Sequence, residues 1–216
     1  MDLNAECLRL YLVTDPGLCP GPALLETVAA AVRGGVSFVQ LRDKDASTRR
    51  RVEAAHALKG VLAGTGIPLV VNDDLEAAVA ADVDGVHIGQ EDVTPSVARQ
   101  RLGRDKIIGL SCETPDHVMS ARAEPVDYLG LGTVFRTGTK PDHKPTIGLC
   151  GLAEMAGLAQ VPTVAIGGLK REHAAAVLTA GCDGIAVVSA ICGHPDPERA
   201  ARDLRHALDK SAERLP

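Results

Sequence analysis

The sequence predicts a single-domain α/β fold, a closed (β/α)8 or TIM barrel spanning residues 1–216, and three observations predict it. Eight short, β-rich apolar runs recur along the chain, about 20–30 residues apart, the rhythm of βαβ units in a parallel sheet. Ala-rich stretches of helical character separate them. The segments VDGVHIG and CDGIAVV, each following an Ala-rich stretch, resemble one another as repeats of one unit would. At about 27 residues per unit the barrel is compact for its class. An open doubly wound sheet is the competing architecture, but TDPGLCPG stands after the first strand where a GxGxxG fingerprint would be needed.

In chain order the strands are expected at LRLYLVTD (8–15), SFVQLRD (37–43), PLVVND (68–73) and GVHIG (85–89). KIIGLSC (106–112), DYLGLGTVF (127–135), PTVAIGG (162–168) and GIAVVSA (184–190) follow. The helices are marked by their ends. ALLETVAAAVRGG (23–35) stops at Gly-Gly. Ser47 caps a helix running to Gly64, and Thr94-Pro95 is a cap followed by proline in the first helical turn of 95–102. REHAAAVLTAG (171–181) ends at glycine, and 196–212 forms a final amphipathic helix.

Composition narrows the function. A hydrophobic content of 45% in one chain of this length supports a single sizeable core. The net charge of −5 provides no basic field for nucleic acid, and 2% aromatic content leaves almost no stacking platform for bases. No apolar run reaches the roughly 20 residues of a membrane span, and the start lacks a signal-peptide pattern. Neither nucleic-acid nor membrane partners are expected, and a cytoplasmic location is. The six cysteines, with no CxxC or Cys/His ligand spacing, read as small hydrophobes in a reducing compartment.

In a barrel of this kind the functional residues lie at the C-terminal ends of strands and in the loops that follow. The second strand ends QLRDKD, which puts Gln40 and Arg42 on one face with Lys44 just beyond, a planar fork and a point charge suited to a diphosphate. The competing reading is a surface ion pair with Asp43 or Asp45. The third strand ends Asn72-Asp73-Asp74, and the fourth is followed by Asp92. Asp74 is the expected cap of the next helix, which leaves Asp73 and Asp92 to converge from adjacent strands on a Mg2+ that also takes phosphate oxygens.

Ser111 ends the fifth strand without a GxSxG elbow. Thr137, Thr139 and Lys140 lie in the Gly-interrupted run RTGTKP, within an irregular stretch (136–148) of the length of a lid. Gly167-Gly168 and Val188-Ser189 end the last two strands, where many barrels bind phosphate through backbone amides. His87 reads as a structural histidine within a strand. His56, His117, His173, His194 and His206 read as solvated. Cys112 reaches at most the rim of the cavity, and nothing forms a Cys–His pair.

Taken together, LYLVTD, VQLRDKD, VVNDD, DGVHIGQED, IIGLS, DYLGLGTVFRTGTK, VAIGG and GCDGIAVVSAI resemble the thiamine phosphate synthase family, in the same order and over nearly the whole chain. The resemblance implies a transferase of thiamine biosynthesis. It would condense 4-amino-2-methyl-5-hydroxymethylpyrimidine diphosphate with hydroxyethylthiazole phosphate, or its carboxylated form, and release pyrophosphate with Mg2+ as cofactor. It also implies roles. Arg42, Lys44, Asn72 and Lys140 would hold pyrophosphate, Asp73 and Asp92 the metal, and Gln40 the pyrimidine. Ser111 would sit beside the pyrophosphate or the pyrimidine amino group, and Thr137, Thr139, Gly168, Val188 and Ser189 would receive the thiazole phosphate. Of these, Ser111, Lys140 and Arg42 would act on the reacting bonds.

One departure stands out. Many members read Ser-x-His-Thr where this chain has SCET (111–114), so Glu113 replaces a histidine. The thiazole tautomerases share the barrel and are thought to use a histidine in this segment, which is missing here. A non-catalytic barrel binding a phosphorylated ligand is the other alternative, and the full cation and carboxylate set argues against it. The sequence leaves room for a homo-oligomer without specifying one.

Overall fold

The computed structural model describes residues 3–21, 23–138 and 145–214. Eight parallel strands close on themselves in sequence order, β1 pairing with both β2 and β8. They are β1 (Leu10–Val13), β2 (Phe38–Leu41), β3 (Leu69–Asn72), β4 (Gly85–Ile88), β5 (Ile107–Cys112), β6 (Tyr128–Leu131), β7 (Thr163–Ile166) and β8 (Gly184–Val187). The connecting helices are α1 (Ala23–Arg33), α2 (Thr48–Leu62), α3 (Leu75–Ala81), α4 (Pro95–Leu102), α5 (Pro115–Ala121), α6 (Gly148–Leu158), α7 (Ala174–Thr179) and α8 (Pro197–Ala212). Short 3-10 turns precede β1 and α7.

The strands are shorter than their apolar runs because tilted barrel strands stay paired over only part of their length. The excess residues at the C-terminal ends still follow the sheet. Val134 and Phe135 continue beside β7 by donating to Ile166 O and Gly167 O at 2.9 and 3.0 Å. The expected helix 171–181 is a 3-10 turn (Arg171–His173) running into the shorter α7.

Alternation along each strand sorts the side chains into two cores. Leu10, Leu12, Val39, Val71 and Val86 face the helices in the larger one. Tyr11, Val13, Phe38, Val70, Tyr128 and Val164 fill the barrel. Three of the four aromatic residues of the chain pack there, with Tyr11 and Tyr128 ring centroids 4.5 and 5.5 Å from Phe38. Gly109 makes the room, since a Cβ there would lie 2.2 Å from Tyr128 Cζ.

The repeat visible in the sequence has a structural cause at the N-terminal end of the barrel. Asp84 and Asp183, just before β4 and β8, accept the first amide of the preceding strand at 2.8 Å, and Asp127, just before β6, accepts the Ile108 amide, the second of β5, at 2.7 Å. Ser37 plays the same part for Leu10, at 3.1 Å. Four such bonds therefore tie the strands in pairs at the closed end, leaving the other end for the site.

Candidate active site

A cavity of about 730 Å3 opens at the C-terminal end of the barrel. Every described residue expected to act lines it, from Gln40 and Arg42 round to Val188 and Ser189. Thr139 and Lys140 lie outside the described residues. The cavity falls into three parts: a carboxylate and cation wall on β2–β4, a polar floor inside the barrel, and a glycine wall on β7–β8.

The first wall is built by the strand ends. Thr14 is fully buried after β1, and its Oγ1 accepts the Arg42 amide at 3.0 Å, fixing where β2 ends. Neither Arg42 nor Lys44 has an ion-pair partner among the described residues, so the surface-pair reading fails. Asp43 instead accepts the Ala46 amide at 3.2 Å within its own loop.

At the end of β3 the chain turns sharply. Asp73 adopts φ 61°, a left-handed conformation that few residue types besides glycine, asparagine and aspartate accept. The turn separates two neighbouring carboxylates. Asp74 caps α3 through the Ala77 amide at 2.9 Å and pairs with Arg51 at 2.8 Å. Burial opposes its ionisation, but Ala77, Arg51 and Thr48 together hold its carboxyl below the usual carboxylate range.

Asp73, exposed to the cavity, is turned against Asp92. Partial desolvation at the wall, then the hydrogen bond and repulsion of Asp92, push its carboxyl up to about 6; Asn72 and Lys44 oppose the shift. Asp92 is held in place by the Gly89 amide at 2.7 Å. Two carboxylates forced together beside cations fit a Mg2+ that completes its shell with water and ligand phosphate. No cluster of three or more His, Cys, Asp or Glu side chains occurs among the described residues, as a metal held wholly by protein would need.

Arg51 is a residue that the sequence reading missed. Its guanidinium donates to Asp43 O at 2.8 Å, to Lys44 O at 3.1 Å and to Asp74, so one side chain holds the Lys44 loop against the end of β3. Arg51→Met should lower stability by about 2–3 kcal/mol, since it strands a mostly buried carboxylate. It should also weaken diphosphate binding while leaving monophosphate binding intact, a difference that titration calorimetry with each ligand would show. Equal affinities for both ligands in parent and variant would refute the positioning role.

The floor is a second feature absent from the sequence reading. Gln40 Nε2 lies 2.7 Å from Tyr11 Oη, and the Tyr11 and Tyr128 hydroxyls are 2.8 Å apart. Tyr128 Oη is 2.8 Å from His87 Nδ1, and His87 Nε2 is 2.9 Å from Ser111 Oγ. His87 is therefore the buried, satisfied histidine expected, and it also touches a candidate catalytic serine. The signal was there: each of these polar residues occupies an inward position of an otherwise apolar strand. Gln90 Nε2 fastens Ser111 O at 2.6 Å, tying the β4 and β5 ends together.

The glycine wall comes from two loops pressed on one another. Gly167 and Gly168 have φ 105° and 63°, and a Cβ on Gly168 would lie 2.6 Å from Arg136 O. Among the described residues the amides of Gly168 and Ser189 have no protein acceptor, which suits them to an anionic ligand. Thr137, Arg136 and Lys170 border the same wall.

The remaining polar groups fall away. Burial pushes the Cys112 thiol up to about 12, with Glu113 adding to it, so it is no nucleophile. All six cysteines are free. Three histidines expected in solvent also have local roles: the half-buried His117 accepts the Glu113 amide at Nδ1, and His194, exposed as expected, accepts that of Asp196. His173 Nδ1 accepts the Lys170 amide while its ring packs on Phe135, with centroids 4.5 Å apart. No helix among the described residues is long and apolar enough to cross a membrane.

Residues 10–191 match the family model described as thiamine monophosphate synthase. The thiamine-phosphate synthase of Xanthobacter autotrophicus is 52% identical over 93% of this chain and 95% of its own. That of Azorhizobium caulinodans is 48% identical over 94% and 96%. The structure of a thiamine phosphate pyrophosphorylase from Pyrococcus furiosus superposes with a TM-score of 0.86 at 35% identity, over 96% of this chain and 98% of that one. With a family model that matches residues 10–191 and relatives that match nearly end to end, this chain belongs to the thiamine monophosphate synthase family.

Proposed function

We propose that the chain condenses 4-amino-2-methyl-5-hydroxymethylpyrimidine diphosphate with hydroxyethylthiazole phosphate to give thiamine phosphate and pyrophosphate, with Mg2+ as cofactor. The observation that carries this reading is the division of one cavity into two phosphate-handling walls, Asp73, Asp92, Arg42 and Lys44 facing Gly168 and Ser189. A reaction between a diphosphate ester and a phosphorylated nucleophile needs both.

In this reading Arg42, Lys44 and Asn72 bind the diphosphate, and Asp73 and Asp92 hold the metal against it. The metal, when bound, supplies positive charge where the leaving group gathers negative charge. Gln40 orients the aminopyrimidine, and Ser111 donates a hydrogen bond at its edge. Gly168, Val188 and Ser189, with Thr137, hold the thiazole phosphate so that the thiazole nitrogen faces the methylene.

The bond between methylene carbon and diphosphate oxygen breaks, and its electron pair leaves with the diphosphate. The thiazole nitrogen lone pair then forms the new C–N bond. That nitrogen carries no hydrogen, so no proton has to be removed and the product is a thiazolium. The amino group of the pyrimidine feeds electron density to the methylene, which lets bond breaking run ahead of bond making. No protein nucleophile is required, in keeping with the Cys112 thiol at the cavity being held protonated by burial.

The test is incubation of the purified protein with both substrates, with and without Mg2+, and assay for thiamine phosphate. Product only with the metal is expected, and removal of the metal with EDTA should stop turnover. No product despite retained thiazole phosphate binding would move the assignment to a tautomerase or a non-catalytic relative.

A further inference from the structure

The hydrogen-bonded floor joins its two ends in one cavity. Gln40, Tyr11, Tyr128, His87 and Ser111 come from β2, β1, β6, β4 and β5, and the chain of contacts crosses the barrel interior in four steps of 2.7–2.9 Å. All but Ser111 are buried: Gln40 is 4% exposed, Tyr11 1%, Tyr128 0% and His87 8%. Burial pushes the Tyr11 and Tyr128 phenols above their usual value, so both keep their hydrogens. Gly109 and Gly130 provide the space, since a Cβ on Gly109 would lie 2.4 Å from Tyr128 Oη, and one on Gly130 3.2 Å from His87 Cε1.

Hydrogen counting gives this chain a direction. An amide nitrogen donates and does not accept, so Gln40 donates to Tyr11. The Tyr11 hydrogen is then directed to Tyr128 Oη, because Gln40 Nε2 has no lone pair to receive it. The Tyr128 hydrogen, displaced from that contact, goes to His87 Nδ1. In that arrangement His87 is neutral with its hydrogen on Nε2, donating to Ser111 Oγ. Ser111 turns its own hydrogen towards the cavity. At the other end Gln40, whose amide orientation is fixed by giving one of its two hydrogens to Tyr11, offers Oε1 as an acceptor.

We infer that Tyr11, Tyr128 and His87 are positioning residues which set the hydrogen-bond polarity of both ends of the pyrimidine subsite, making Gln40 an acceptor and Ser111 a donor towards the ligand. This rests on the function proposed above. An aminopyrimidine diphosphate is the complementary partner: its exocyclic amine meets Gln40 Oε1, and a ring nitrogen or phosphate oxygen accepts from Ser111. Buried networks of this kind hold one arrangement because a reversal at any member leaves a partner unsatisfied.

The direct test is nitrogen-15 NMR of histidine-labelled, full-length protein, with the His87 signals identified by their loss in His87→Gln. A neutral ring protonated on Nε2 is expected. Protonation on Nδ1, or on both nitrogens, would overturn the inference, because the first reverses the chain and the second breaks it.

Tyr128→Phe keeps the ring and removes one link. The variant should lose the Nε2 preference, and kcat/KM for the pyrimidine diphosphate should fall on the order of tenfold, as expected for unsatisfied buried groups. KM for the thiazole phosphate should not move. Unchanged kcat/KM, or an equal effect on both substrates, would also overturn it. Failure of the parent to make thiamine phosphate would remove the proposed reaction, while the tautomer of His87 would still decide the polarity of the floor.

Discussion

Asp73→Asn should yield a protein more stable than its parent at neutral pH that has lost Mg2+-dependent turnover. Asparagine accepts the left-handed φ of 61° about as readily as aspartate, so the turn at the end of β3 survives. What disappears is one of two like charges. The Asp73 carboxyl is raised from 3.8 to about 6, by desolvation first and then by Asp92.

The sign follows from proton binding. Between about pH 4 and about pH 6 the folded parent holds more protons than the unfolded chain, so its stability falls as pH rises through that window. Above it the penalty is complete. The advantage of Asp73→Asn should therefore be absent near pH 4, grow towards pH 6 and be full by about pH 8. Mg2+ should stabilise the parent and not the variant, since only the parent keeps both carboxylates. Turnover should drop on the order of 1,000-fold with the loss of a ligand whose charge faces the leaving group. Thermal unfolding at three pH values, with and without the metal, and the thiamine phosphate assay would check both halves. A variant less stable than the parent at about pH 8 would contradict the like-charge reading, and full activity would remove Asp73 from the metal site.

The pair was legible in the sequence because it needed only two local rules. Apolar runs end where strands end, and adjacent parallel strands bring their ends together. The separation of Asp73 from Asp74 was also foreseen, since a helix start needs a cap and one of the two had to supply it. Arg51 was not legible. It stands in the run Thr48–Arg51, which reads as a solvated first turn, and its partners lie on two other loops, so only the folded chain brings it to Asp74 and Lys44 O.

The floor was half legible. Inward parity selects Tyr11, Gln40, His87, Ser111 and Tyr128 one strand at a time, but their contact depends on the glycines that let the rings cross the barrel. Strand lengths were overestimated for a related reason. Hydrophobicity runs on into the loops of the site, because residues such as Val134 and Val188 pack there after regular pairing has ended.

Gly168→Ala should disable one half of the site and spare the other. The substitution meets two obstacles that cannot move separately. Its φ of 63° lies where a Cβ is disfavoured, and the new carbon would stand 2.6 Å from Arg136 O and 2.9 Å from Phe135 O, both backbone atoms. The segment bearing them is pinned to the end of β7 by the Val134 and Phe135 amides, so it must leave that strand or strain with it. A loss of about 2–4 kcal/mol is expected from the two effects together. Because Thr137 travels on the same segment, thiazole phosphate affinity should fall by about tenfold or more, through loss of the amide and of loop placement. The diphosphate wall is fixed independently by Thr14 after β1, Arg51 on α2 and Gln90 after β4, so affinity for the pyrimidine diphosphate with Mg2+ should stay within about twofold, as expected for sites sharing no partners. Separate binding isotherms for the two substrates decide the matter. Equal weakening of both would mean that the two walls of the cavity act as one site.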